Sequence, residues 1–147
     1  MVGVALLVAG FPSFYGCGSS SEDTTSGISL KRFLAEGNAV CKAAKQEQAQ
    51  RFAKGQKRYP PGEPITAEQR NNVLTWIFVK PYEKQITELE TLGAPKGDGK
   101  RLDAIIQAME EAQKKVEANP TEVLTTTAMY KEANALLTKY GLKSCVV

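Results

Sequence analysis

SLKRFLAEGNAVCKAAKQEQAQRF, residues 29–52, decides the fold class. From Leu30, the residues Phe33, Gly37, Val40, Cys41, Ala44 and Phe52 recur at three- and four-residue intervals, while Lys31, Lys42, Lys45 and Gln46 fill the other faces. That period belongs to an amphipathic helix. Ser29 stands where a side-chain oxygen can accept from the first free amides, so it is the expected N-cap. The stripe carries Cys41 inward. We expect the helix to stop near Gly55, ahead of Tyr59-Pro60-Pro61-Gly62-Glu63-Pro64, whose prolines cannot continue it.

Towards the carboxyl end, Thr66 followed by Gln69 is a capping box that opens a second helix. Its stripe is Val73, Leu74, Ile77, Phe78, Tyr82, Ile86, Leu89 and Leu92. Pro81 falls inside that stripe, and a proline there removes one hydrogen bond and crowds the preceding turn, so a kink or short break is expected near Ile77 to Lys80. After the Gly93-Ala94-Pro95-Lys96-Gly97 turn, Asp98 is placed to cap a third helix that points Leu102, Ile105, Ile106, Met109 and Val116 inward. Asn119-Pro120 interrupts it. A fourth helix is expected from Thr121 or a few residues later, with Met129, Ala133, Leu136, Leu137 and Tyr140 as its core face. Gly141 supplies a left-handed cap and lets Leu142 fold back on Leu137. Four such helices on short turns predict an all-α fold, an antiparallel four-helix bundle with a Pro-kinked second helix, closed by one disulfide.

Towards the amino end, Val2 to Phe14 is almost continuously apolar and uncharged. About a dozen residues are too few to cross a bilayer core of about 30 Å as a helix, and a signal-peptide core fits better. Gly16 and Cys17 follow, then a polar stretch without apolar side chains, Gly18 to Gly27, that reads as a flexible tether. This order resembles the lipobox of bacterial lipoproteins, in which the cysteine sulfur is diacylated and the chain is cut just before it. Phe14 and Tyr15 stand where that pattern has an aliphatic and a small residue. The expected organisation is a lipoprotein-type signal peptide over 1–16, a tether over 17–28 and a helical domain over 29–147. The resemblance implies a lipid anchor at Cys17 on the extracytoplasmic face of the cell membrane. Cleavage by ordinary signal peptidase, with secretion, is the alternative, and an uncleaved or cytoplasmic amino terminus a third.

The chain has three cysteines and no histidine. Without histidine, triads, cysteine–histidine dyads and the usual zinc and di-iron helices are excluded. Beyond Cys17, the pair Cys41 and Cys145 suggests a disulfide in an exported domain. It would close a loop of about a hundred residues, worth roughly 4–5 kcal/mol by chain entropy. A metal pair or two unrelated buried thiols are the other readings. No Cys-x-x-Cys redox motif is present.

Phe33 to Cys41, the turn Leu92-Gly93-Ala94-Pro95-Lys96-Gly97-Asp98 and the closing Tyr140-Gly141-Leu142-Lys143-Ser144-Cys145 are together similar to small secreted lipoproteins of high-GC Gram-positive bacteria. The resemblance spans most of the folded region. It implies export and pairing of Cys41 with Cys145, and it implies no activity.

A net charge of +3 from 19 basic and 16 acidic residues does not call for nucleic acid. Lys42, Lys45, Arg51, Lys54, Lys57 and Arg58 lie close in sequence with Glu47 as the one acid among them, a run suited to anionic headgroups or wall polymers. A solvated helix face is the plainer reading. The loop from Gly55 to Pro64 reads as a contact site or a connector. Glu88 with Glu90, and Glu110 with Glu111, are too close on one helix to face each other as acid and base. Trp76 and Tyr82 border the proline and could line a pocket, with core packing the safer reading for them and for Tyr130 and Tyr140. The expected function is a monomeric, lipid-anchored, non-enzymatic envelope module that binds a protein, an anionic polymer or a small ligand through its helical surface, with no cofactor, metal or nucleic acid. The alternatives are an envelope enzyme working with carboxylates or lysines, and a structural spacer.

Overall fold

The computed structural model describes residues 27–147. The signal-peptide reading, Cys17 and the tether as far as residue 26 lie outside the described residues. Five α-helices carry the fold: α1 (Leu30–Arg58), α2 (Ala67–Leu74), α3 (Lys80–Leu92), α4 (Gly99–Ala118) and α5 (Lys131–Tyr140). No strand occurs among the described residues. A π-helical turn, Thr75–Val79, joins α2 to α3 without leaving helical geometry, so the chain has four helical arms. The chain thus stays helical across Ile77 to Lys80, and Pro81 falls in the first turn of α3. A wider turn bonds Lys80 N–H back to the Thr75 carbonyl, five residues away, where the four-residue ladder would run into the proline.

Ser29 caps α1, its hydroxyl accepting from the Arg32 amide at 3.3 Å. The helix does not stop near Gly55 but runs on to Arg58. Gly55 is a packing residue: a Cβ there would sit 3.0 Å from Ile77 Cδ1. Phe52, expected on the inward stripe, is exposed. At about 100° per residue it lies about 80° round the helix from Ala44, whereas Gly55 lies only about 20° from that line. The buried stripe is therefore Phe33, Gly37, Cys41, Ala44 and Gly55.

α1 packs chiefly on α3, and α4 packs on α3 and α5. Phe33, Leu89, Ile105, Met109, Leu137 and Leu142 are fully buried between them, each side chain contributing roughly 1.5–3 kcal/mol relative to exposure. All five residues expected inward on α4 are buried. Ile28, at the end of the stretch expected to be tether, is half-buried against this core.

Asp98 occupies the N-cap position of α4, but its carboxylate makes no capping bond. It accepts instead from Arg101 Nη1 and from the Tyr140 hydroxyl, both at 3.2 Å. The last helix begins at Lys131, well after Thr121. Between them come two 3-10 turns, Pro120–Leu124 and Ala128–Tyr130. Threonine hydroxyls explain the delay: Thr125 donates to the Glu122 carbonyl and Thr126 accepts from the Ala128 amide, bonds that compete with a helical ladder.

The carboxyl end folds back on α1. Gly141 is left-handed at φ 103°, and Leu142 N–H reaches the Leu137 carbonyl at 2.9 Å, closing a Schellman motif. Cys145 and Cys41 form the disulfide, 104 residues apart with Cα atoms 4.8 Å from each other. Asn38 reinforces the tie. Its Nδ2 donates to the Gly141 carbonyl at 3.1 Å and its Oδ1 accepts the Ser144 amide at 2.8 Å.

Gly37 marks the closest approach. A Cβ added there would meet Leu142 Cδ2 at 2.8 Å and Leu89 Cδ2 at 3.2 Å. Gly37→Ala is expected to destabilise the fold by about 1–3 kcal/mol through overpacking, despite alanine's better helix propensity. Urea denaturation with the disulfide intact measures it.

Candidate functional site

The six basic residues expected to form one surface do not share a face. Lys45 lies nine residues before Lys54, about half a turn round α1, and its ammonium donates to the Val146 carbonyl at 2.7 Å. Lys42 and Lys57 are exposed away from any cavity that Lys54 lines. Arg51 is fixed. Its Nε and Nη2 donate to Glu47 Oε1 at 3.0 and 2.7 Å, and its Nη1 to the Trp76 carbonyl at 2.8 Å. Its guanidinium carbon stands 5.1 Å from the Trp76 ring centroid, a cation–π pair.

Lys54 and Arg58 come together in a cleft of about 440 Å³ between the end of α1 and the α2 segment. Gly55 and Tyr59 complete the α1 side, and Gln69, Asn72, Val73 and Trp76 form the other. No lining residue is acidic. Local structure explains the placement. The capping box fixes the start of α2, Thr66 Oγ1 accepting from Gln69 N–H at 3.1 Å and Gln69 Oε1 from Thr66 N–H at 2.9 Å. Gln69, Asn72, Val73 and Trp76 then fall on one face by helical spacing. The π turn turns Ile77 and Val79 into the core while Trp76 stays 37% exposed. Arg58 lies over the Tyr59 ring at 5.6 Å.

Sequence reading singled out Lys54, Arg58 and Trp76 as candidate contact residues, but read Gln69 only as a cap and Val73 only as core, and passed over Asn72. Their signal was the three- and four-residue spacing from the capping residue to Trp76. Tyr82 is absent from the cleft. It is buried edge-on to Tyr130, ring centroids 5.4 Å apart, and its hydroxyl finds no partner among the described residues. Burial raises its pKa and pushes that of Tyr130 up to about 12. Tyr140 reaches about 12 through burial and the Asp98 carboxylate it donates to.

The paired glutamates stay apart as neighbours. Glu88 stands 3.9 Å from Lys84, and Glu111 accepts from Gln107 at 3.3 Å. Glu90 and Glu110 instead line one shallow, exposed groove between α3 and α4. Among the described residues no group of three or more Cys, Asp or Glu is placed to hold a metal ion. No helix among them is long and apolar enough to cross a membrane.

No family model, curated protein or solved structure matches this chain. The functional reading rests on the chemistry of the cleft and of the address residues.

Glu47 anchors the wall behind Trp76. Hydrogen bonds from Arg51 and then Lys84 hold its carboxyl below the usual carboxylate range. A depressed folded-state pKa stabilises the fold above the unfolded value of about 4.3, and that contribution is lost as pH falls through the folded value. Glu47→Gln is therefore expected to remove about 0.5–1 kcal/mol at pH 7 and nothing once both states are protonated. Urea midpoints of the two proteins should converge on acidification. Tyr82→Phe removes an orphaned buried hydroxyl, so we expect stability unchanged or raised by about 1 kcal/mol, read from the thermal midpoint.

Proposed function

We propose that the chain is a lipid-anchored, non-enzymatic binding module of the bacterial envelope, held through Cys17 on the extracytoplasmic face, with the α1–α2 cleft as its binding site for an anionic partner. The observation that carries this reading is the meeting of Lys54 and Arg58 with Tyr59 and Trp76 in a concavity without acids. Concave, largely apolar walls with a few convergent polar groups are the usual form of ligand sites. The Cys41–Cys145 disulfide supports an oxidising compartment and hence export. We read the four helical arms as an antiparallel bundle with a Pro-kinked second arm and the molecule as a monomer, using neither cofactor nor nucleic acid.

A second reading, an envelope enzyme that works with carboxylates, takes its support from Glu90 and Glu110 in their common groove. Both side chains are exposed, and the groove they line holds neither an aromatic ring nor a cation to seat a substrate. The spacer reading has no observation of its own.

Intact mass of the protein from native membranes tests the address. The expected mass is that of a chain cut before Cys17 and acylated, rising by the two thiol hydrogens on reduction. An unmodified full-length mass with free thiols would sink the proposal.

A further inference from the structure

The lining of the cleft is more specific than its charge. Besides two cations it presents two carboxamides, Gln69 and Asn72, and two aromatic rings, Tyr59 and Trp76, over the small apolar patch of Val73 and Gly55. An anion alone needs neither the amides nor the rings. A sugar ring uses both: its C–H face lies on an aromatic ring, and its vicinal hydroxyls exchange hydrogen bonds with the Asn72 carboxamide, which donates and accepts side by side, and accept from Gln69 Nε2, the Gln69 Oε1 being held by the Thr66 amide. A carboxylate or phosphate on that ring would meet Lys54 and Arg58, the latter suited to a bidentate bond.

The position of the cleft argues against the anchoring membrane as its partner. α1 has 29 residues, about 43 Å of helix, and the cleft lies at its far end from Ser29, where the tether joins. The exposed Phe52 is two residues from Lys54 and so about 160° round the helix. The cations therefore have no neighbouring apolar side chain on α1 to insert among lipid tails, as interfacial helices do. A nucleic-acid strand wants a continuous cationic track, and the cleft holds two cations.

We infer that the cleft binds an acidic saccharide, one or more sugar units of an anionic polymer, with Trp76 and Tyr59 as stacking surfaces, Gln69 and Asn72 on the hydroxyls, and Lys54 and Arg58 on the anionic group. This inference rests on the cleft being the binding site of the proposed module.

Trp76 is the sole tryptophan, so the fluorescence of the full chain reports this wall directly. Titration with tetragalacturonate is expected to give a saturable change in Trp76 emission. Uncharged maltotetraose should bind about tenfold more weakly or worse, and Lys54→Ala and Arg58→Ala should each weaken tetragalacturonate binding by about tenfold or more. Lys42→Ala should leave it unchanged, and circular dichroism checks that each variant folds. No saturable change, or an affinity in both cation variants equal to that of the unsubstituted protein, overturns the inference. A response to vesicles of phosphatidylglycerol in phosphatidylcholine with none to tetragalacturonate also overturns it, in favour of lipid. Partner capture from cross-linked envelope separates the two levels: a specific partner lost in Arg58→Ala, with no sugar response, would retain the module and discard the saccharide.

Discussion

The fold depends on the tie between the middle of α1 and the last residues of the described chain. Asn38 and Cys41 are one turn apart on the buried side of α1, and between them they engage Gly141, Ser144 and Cys145. Gly37 completes the seam by letting Leu142 press against the α1 backbone. A helix as long as α1 has little reason to stay straight and registered by propensity alone. Here its amino-terminal half is held by covalent, polar and apolar contacts to the chain end, and by α3 along its flank. Beyond Glu47, which still pairs with Lys84 of α3, the last turns of α1 face the π turn and α2, and the cleft opens there.

How much of this could be read from the residues depends on the kind of signal. Periodic apolar stripes marked α1, α3, α4 and α5, because a buried face must repeat at the helical period to be covered. The Thr66–Gln69 box and the Gly141 cap were legible for the same local reason. Boundaries went wrong where side chains served two grammars: Gly55 looks like a stop and is a contact, and Thr125 and Thr126 look helix-compatible but turn their hydroxyls onto the backbone. Phe52 was misplaced because a three-to-four residue interval permits drift, and after two turns the drift moved it off the stripe.

The site was legible as composition and illegible as geometry. Six cations in a short run suggested one surface, yet a helix distributes such a run around its circumference, and only Lys54 and Arg58 share a wall with α2. Arg51 is part of the supporting structure, held between Glu47 and Trp76. Gln69, Asn72 and Val73 became one wall of a cleft only when tertiary packing set α2 against the end of α1. No local signal states which helix lies opposite.

The π turn at Thr75–Val79 has a consequence for how such a protein changes over generations. One extra residue in a turn rotates everything before it relative to everything after by about 100°. The stripe that faces the cleft, Gln69 to Trp76, lies on a different side of the helical arm from the stripe of α3 that faces the core, Tyr82 to Leu89, and the π turn shifts that offset. Substitutions on α2 can then accumulate without being screened by the packing of α3, so lineages can retune what this end of the molecule recognises while inheriting its core intact.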